Sequence, residues 1–252
     1  MLRLLLSPFR TVLAITVAFV ATWIAAWSVT FLAWRNPASA RIEGVISWWS
    51  KSILAGAGVK LTVRGLENIE PGRSYVVVAN HQGALDIPAH FRALPIPIRF
   101  LAKKELFGVP ILGTALRAIG IVEVDRQAGA AVHAHINAQS AEVIQRGHSI
   151  LVYAEGTRFR DGEVHAFKRG AFSIAIDSGM PILPVTVYGA HLAWPRRRPI
   201  FGGLMTVEVS APIDTTGLTR NDVVALRDQT RNVIERMVKE IAEQYGVTGH
   251  QS

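Results

Sequence analysis

Cysteine is absent from the 252 residues, which excludes a disulfide scaffold, thiolate metal sites and a Cys nucleophile. Charge is scarce: 18% of residues are charged and 50% are hydrophobic, a balance that excludes an intrinsically disordered chain. Negative charge is the scarcer sign, with 19 Asp and Glu against 27 Lys and Arg, a formal net charge of +8. Internal repeats and low-complexity stretches are missing as well. The length suits one or two domains with a full core. What is left is a chain both apolar and basic. Its possible partners are nucleic acid, an anionic membrane or an acidic substrate.

The apolar residues and the cations lie together near the N-terminus. From Thr11 to Trp34 no charged residue occurs, and Arg10 and Arg35 bracket the run. These 24 residues make a helix of roughly 36 Å at about 1.5 Å per residue, enough to cross a bilayer with some tilt. Trp23, Trp27 and Trp34 suit a segment that ends at the headgroups. A cleaved signal peptide is disfavoured, because the run is too long and no clear small-residue cleavage site follows it. A buried core helix is the plainer alternative, yet a charge-free run this long is unusual for one.

Arg41 to Ala57 differs in kind. Ile42, Val45, Ile46, Trp49, Ile53 and Leu54 recur at helical spacing on one face, with Arg41, Lys51 and Ser52 largely off it. Such a helix lies in the membrane interface or packs on the next domain, and the interface reading is preferred. The expected organisation is a membrane-anchoring segment over residues 1–58, with a hydrophobic helix at 11–34 and an amphipathic one at 41–57. An α/β domain over 59–252 follows. Basic residues flank both ends of the first helix, so charge bias does not orient it. Residues 1–60 carry Arg3, Arg10, Arg35, Arg41, Lys51 and Lys60 against Glu43 alone, a net of +5, and the remaining 192 residues hold only +3. Basicity concentrated beside lipid argues against nucleic acid as the partner.

From Val59 onward β-rich runs alternate with helical patterns. Strands are expected at Lys60–Val63, Ser74–Ala79, Ile98–Leu101, Ile121–Val124, Ser149–Tyr153, Ile182–Val187 and Met205–Ser210. Helices are expected near 84–93, 109–118, 128–146, 169–179 and 220–244. The fold class is therefore α/β, a mostly parallel sheet flanked by helices.

Four segments could carry chemistry. The first is Asn80-His81-Gln82-Gly83-Ala84-Leu85-Asp86 after the second strand. On one helix, residues five apart stand roughly 140° apart, so His81 and Asp86 meet only if His81 sits in a loop and Asp86 in the first helical turn. Asp86 would then fix the imidazole tautomer and leave the other nitrogen as a base. Alone, the pattern reads as a capping histidine with a solvated Asp. The second and third are Gly120 to Arg126 and Tyr153-Ala154-Glu155-Gly156-Thr157-Arg158, each placing a cation after a strand, at the edge where open α/β sheets bind ligands. Gly156 permits close approach, and Thr157 and Arg158 can donate to phosphate oxygens. The fourth, Pro181 to Val185, is an apolar strand interrupted by proline, which implies an edge or a bulge.

In this order the four segments resemble the glycerolipid acyltransferase family, in particular its 1-acylglycerol-3-phosphate acyltransferases. His81 to Asp86 matches the H-x4-D motif. Gly120 to Arg126 is similar to the second motif, with its usual aromatic replaced by Glu123 or shifted. Tyr153 to Arg158 matches F-P-E-G-T-R with Tyr for Phe and Ala154 for Pro, and Pro184 falls in the fourth. Phe100 to Leu106 is similar to a segment that supplies a phosphate-binding lysine. The resemblance covers about residues 59–210. It implies that His81, steered by Asp86, deprotonates the free sn-2 hydroxyl of lysophosphatidate. That oxygen attacks the thioester of acyl-CoA or acyl-carrier protein directly and yields phosphatidate.

The same resemblance implies phosphate contacts from Arg158, Arg126 and one of Lys103 or Lys104. Thr157 and backbone N–H groups near Gly156 assist, and Glu155 orients Arg158 or the loop. It calls for no metal or cofactor and no nucleic acid. It places the protein at the inner (cytoplasmic) membrane, catalytic domain toward the cytoplasm, with membrane lipid as a further partner. A rival within enzymes is acylation of another lyso-lipid, such as a lyso-ornithine lipid or a lysophospholipid. A rival outside enzymes is a membrane-anchored basic adaptor, and a third is a metal-dependent hydrolase built on His81 and Asp86. Of the other histidines, His90 reads as packing, His133 and His135 as surface, His148 as a turn, and His165 and His191 as solvated loop residues. Lys168 and Arg169 read equally as a site pair or a solvated helix start. Arg196 to Arg198 read as a headgroup, CoA or carrier contact, or as a solubilising loop.

Overall fold

The computed structural model describes residues 2–125 and 139–249. Helix α1 runs Leu2–Arg35, longer than the charge-free run, because the Leu-rich residues before it are helix formers too. Pro8 is accommodated within it, and the Thr11 hydroxyl donates to the Ser7 carbonyl at 2.7 Å. After a short turn, α2 (Arg41–Gly56) folds back on α1. Small residues of α1, Ala14, Ala21 and Ala26, are buried with Ile42, Ile46 and Leu54 of α2, and Trp49 donates across the pair to the Thr22 hydroxyl at 3.0 Å. The opposite face of α1 is bare and apolar: Phe9, Val12, Phe19, Trp27, Phe31 and Trp34 are all exposed, Trp34 by 79%.

Seven strands follow: β1 (Val59–Arg64), β2 (Val76–Ala79), β3 (Ile98–Lys103), β4 (Val122–Val124), β5 (Ser149–Tyr153), β6 (Ile182–Tyr188) and β7 (Gly203–Val209). They form one sheet in the order β1-β7-β6-β2-β5-β3-β4. Five are mutually parallel, while β7 runs antiparallel to β6 and parallel to β1. Strand β2 shows why its sequence is an unbroken apolar run. Val77 and Ala79 join one core with Leu54, Leu85 and Ala89, and Val76 and Val78 join the other with Phe172 and Ile234. A strand covered on both faces loses the polar alternation of an exposed sheet.

The helices packed around this sheet are α3 (Asp86–Ala93), α4 (Lys104–Phe107), α5 (Leu112–Ile119), α6 (Gly170–Ser178), α7 (Ala190–Ala193) and α8 (Val223–Gly249). Residues 139–145 are helical as well, and the rest of the helix expected at 128–146 lies outside the described residues. The four-residue helices α4 and α7 went unread, being too short to show a period. Of the two alternatives for Pro184, an edge is excluded: it occupies β6, an interior strand paired to β2 with Val78 opposite it. The bulge holds, because the register against the β7 segment shifts by one residue across it, from Ile182 opposite Ile213 to Val185 opposite Val209, and its carbonyl still accepts from Ser210 N.

The end of β6 depends on Gly189, which adopts φ of 99°; a Cβ there would stand 2.5 Å from the Leu204 carbonyl oxygen of β7. Gly189→Ala is expected to destabilise the fold by about 2–4 kcal/mol through backbone strain and the clash. Chemical denaturation in detergent measures it.

Candidate active site

The chain leaves β2 at Ala79 and enters α3 at Asp86, so His81 lies in the strand-to-helix loop and Asp86 in the first helical turn. Asp86 is fully buried and accepts at Oδ2 from three N–H groups: Gln82 at 2.6 Å, Gly83 at 2.8 Å and the His81 ring Nδ1 at 2.7 Å. A carboxylate oxygen can only accept, so the His81 proton sits on Nδ1. Nε2 is then a lone pair, and the Arg158 Nε–H donates to it at 3.2 Å. The loop places one base at the sheet edge, with its tautomer set from both sides.

Neighbouring strands hold the loop. Asn80 pairs its side-chain amide with the backbone of Val187, donating to its carbonyl and accepting from its N–H, both at 2.9 Å. The Gln82 side-chain oxygen accepts from Gly189 N at 3.2 Å and His191 Nδ1 at 2.9 Å. Buried Glu155, just past β5, accepts from His81 N at 2.8 Å and His165 N at 2.9 Å. Burial pushes its carboxyl up, and the two backbone donors pull it back. Phe159 N closes the loop on the His81 carbonyl at 2.9 Å. The Tyr153 ring stacks on His81 with centroids 3.8 Å apart and planes 15° from parallel.

Glu155, grouped with the phosphate-site residues and expected to orient Arg158 or the loop, is not placed to touch a phosphate: its two oxygens hold backbone N–H groups, so it braces loop backbone and makes no pair with Arg158. Arg158 and Thr157 are exposed beside His81, and Gly156 adopts φ of 72° with Lys168 Cε about where its Cβ would be, 2.7 Å from it. Lys168 thus joins the loop, which sequence left open. Lys103 and Lys104 stand at the end of β3, separated from β2 by β5, and Lys104 is paired to Asp125 at 2.9 Å. Neither is brought against His81 as Arg158 is. Arg126 lies outside the described residues, as do His133 and His135.

Residues that sequence reading gave no site role are in the network, among them Tyr153, Asn80, Gln82, His191 and His90. His90 follows Asp86 by one helical turn. Its Nδ1 bonds the Asp86 carbonyl at 2.7 Å and lies 3.2 Å from the Tyr153 hydroxyl. Burial pushes its pKa down to about 4. Burial likewise pushes the Tyr153 phenol well above its ordinary value, so the hydroxyl stays protonated. Among the described residues no group of three or more His, Asp or Glu is placed to hold a metal ion.

The fold and site define a class: α/β proteins with a His–Asp pair at the C-terminal edge of a mostly parallel sheet and an arginine-bearing loop beside it. The Acyltransferase family model matches residues 60–188, just over half of the chain, and the chain belongs to that family. It is 33% identical over 187 residues to the "1-acyl-sn-glycerol-3-phosphate acyltransferase alpha" of Mus musculus, covering 73% of this chain and 66% of the relative. It thus spans just under two thirds of that mammalian relative. A "1-acyl-sn-glycerol-3-phosphate acyltransferase" of Pseudomonas aeruginosa is 29% identical over 197 residues, covering 75% of this chain and 74% of the relative. Among solved structures, the 1-acyl-sn-glycerophosphate (LPA) acyltransferase PlsC from Thermotoga maritima superposes with a TM-score of 0.81 at 28% identity. It covers 95% of this chain and 98% of its own.

The depressed His90 pKa makes a stability prediction. Below its unfolded value of 6.5 the unfolded chain binds a proton that the folded one refuses, so stability present above 6.5 is lost as pH falls toward about 4. The loss attributable to His90 is about 3 kcal/mol, and His90→Asn removes it. Unfolding free energies of both proteins across that pH range provide the measurement.

Proposed function

We propose that this protein transfers an acyl group from a thioester, acyl-CoA or acyl-carrier protein, to the free sn-2 hydroxyl of lysophosphatidate, forming phosphatidate. The carrying observation is the His81–Asp86 contact with Arg158 on the same ring. A base whose second nitrogen carries a lone pair and a cation suited to phosphate stand side by side, the cation covering that lone pair. The hydroxyl proton goes to His81 Nε2 and the oxygen attacks the thioester carbonyl. The tetrahedral intermediate expels the thiolate, which takes the proton back from His81. Asp86 holds the ring and stabilises the imidazolium that forms in between. The guanidinium of Arg158 swings from Nε2 to the phosphate, with Lys168 and the N–H groups around Gly156 as further donors.

The substrate is a lipid, and the molecule has a surface for one. The bare apolar face of α1, extended by exposed Trp48 of α2, is a run of exposed large hydrophobic side chains of the kind that marks a membrane or partner contact. The other face is packed on α2 and α5, so immersion along one face of α1 fits better than a lone spanning helix. The α/β part then stays in the cytoplasm, where soluble donors are. Residues 1–58 serve as the anchor and 59–252 as the catalytic part.

Purified protein in mixed micelles, offered lysophosphatidate with either donor, is expected to form phosphatidate. His81→Ala should abolish it, and Asp86→Asn should lower turnover by roughly 10³–10⁴ through loss of the correct tautomer. Equal turnover with a lyso-ornithine lipid or a neutral lysophospholipid would sink the acceptor assignment. Arg158→Ala is expected to raise the lysophosphatidate KM at least tenfold, since a charge-assisted bond to phosphate is lost. An unchanged KM would show that the phosphate binds elsewhere.

A further inference from the structure

We propose that Tyr153 and His90 form a clamp that positions the His81–Asp86 pair, with Tyr153 supporting the face of the imidazole and His90 tying Tyr153 to the backbone of Asp86. The clamp closes a ring of contacts from β5 to α3. Tyr153 stacks flat on His81 at 3.8 Å. Its hydroxyl lies 3.2 Å from His90 Nδ1. His90 Nδ1 in turn bonds the main-chain carbonyl of Asp86 at 2.7 Å, and the Asp86 carboxylate returns to His81 at 2.7 Å. A carbonyl oxygen can only accept, so the His90 proton is on Nδ1 and the Tyr153 oxygen receives its longer branch.

Each member closes a freedom that the hydrogen bond to Asp86 alone leaves open. One bond at Nδ1 fixes a point on the imidazole but not its plane, and rotation about that contact would swing Nε2 away from a substrate hydroxyl. A parallel ring at van der Waals distance blocks that rotation from one side. The Tyr153 ring needs its own anchor, and His90 provides it from a fully buried site. His90 Nε2 has no partner among the described residues, so the side chain is retained for its Nδ1 end. A neutral, fully buried imidazole suits that task, since it holds its proton on one nitrogen across the working pH range.

The test compares substitutions that keep or remove each contact. Asn places an N–H where His has Nδ1, and Phe keeps the ring of Tyr without its oxygen. Tyr153→Leu and His90→Leu are expected to lower kcat roughly 10–100-fold with KM values within about twofold, the signature of a mispositioned base. Tyr153→Phe should lose only about fivefold, one hydrogen bond's worth, and His90→Asn should recover most of what His90→Leu loses. NMR of ¹⁵N-histidine-labelled full-length protein in micelles reads the same clamp without any substrate. The His81 Nδ1 proton, protected in its bond to Asp86, should be visible in wild type, Tyr153→Phe and His90→Asn, and exchange-broadened in both Leu variants. This proton signal does not depend on the acyl-transfer reading, on which the kinetic arm rests. Its loss in the Leu variants supports the clamp even if lysophosphatidate proves the wrong acceptor. A sharp His81 signal with wild-type kcat in both Leu variants would overturn the clamp. Failure of His90→Asn to recover either signal would overturn the part given to His90.

Discussion

A single carboxylate oxygen organises this site. Asp86 Oδ2 takes two backbone N–H groups and one ring N–H with no exposure to water. Burying a carboxylate is costly unless it accepts hydrogen bonds, and here the loop itself supplies all three donors to Oδ2, while Oδ1 has no partner among the described residues. The loop between β2 and α3 is therefore folded around its own base-orienting residue. The first turn of α3 adds its unsatisfied N–H groups and dipole to the same end. Without the negative charge at that place, the turn would have no reason to close over His81.

The strand ends on either side transmit this constraint into the sheet. Asn80 and Gln82 bond to β6 and its following turn, while Glu155 and Tyr153 come from β5. β2 lies between β5 and β6 in the sheet, so its loop is braced from both neighbours by side chains that alternate along residues 80–82. His81 is held by the strand ends, whereas Arg158 sits on an exposed loop position. On the proposed function, that puts the fixed geometry where a proton would move and the exposed charge where a headgroup would enter.

Much of the fold was legible because strands buried on both faces are written as plain apolar runs and the helices between them as periodic ones. Ser149–Tyr153 and the core of each other strand lie where the composition puts them. Proline at 184 left edge and bulge open, because sequence does not report the register of β7, and the one-residue shift across it decides for the bulge. The His81–Asp86 contact was legible only in company: the spacing alone reads as a capping histidine with a solvated Asp, and the three other segments turned it into a pair. Tyr153 and Gln82 were not, because their partners lie on other strands and their residue types do not announce a role. Glu155 left two parts open for a related reason: an acid three residues before an arginine can pair with it or turn inward, and here it turns to backbone donors while Arg158 reaches back to the imidazole.

On the proposed function, the position of Arg158 has a consequence for the order of events. Its Nε–H lies on the His81 lone pair, so the base is covered until the guanidinium takes another partner. A phosphate would offer a stronger, charge-assisted one than a neutral imidazole. Transfer of Arg158 to the phosphate would free Nε2 as the hydroxyl arrives, and recognition of the headgroup and release of the base would be one movement. On that reading a lyso-lipid without a phosphate would leave the base covered, and selectivity for a phosphorylated acceptor would arise from this contact as well as from affinity.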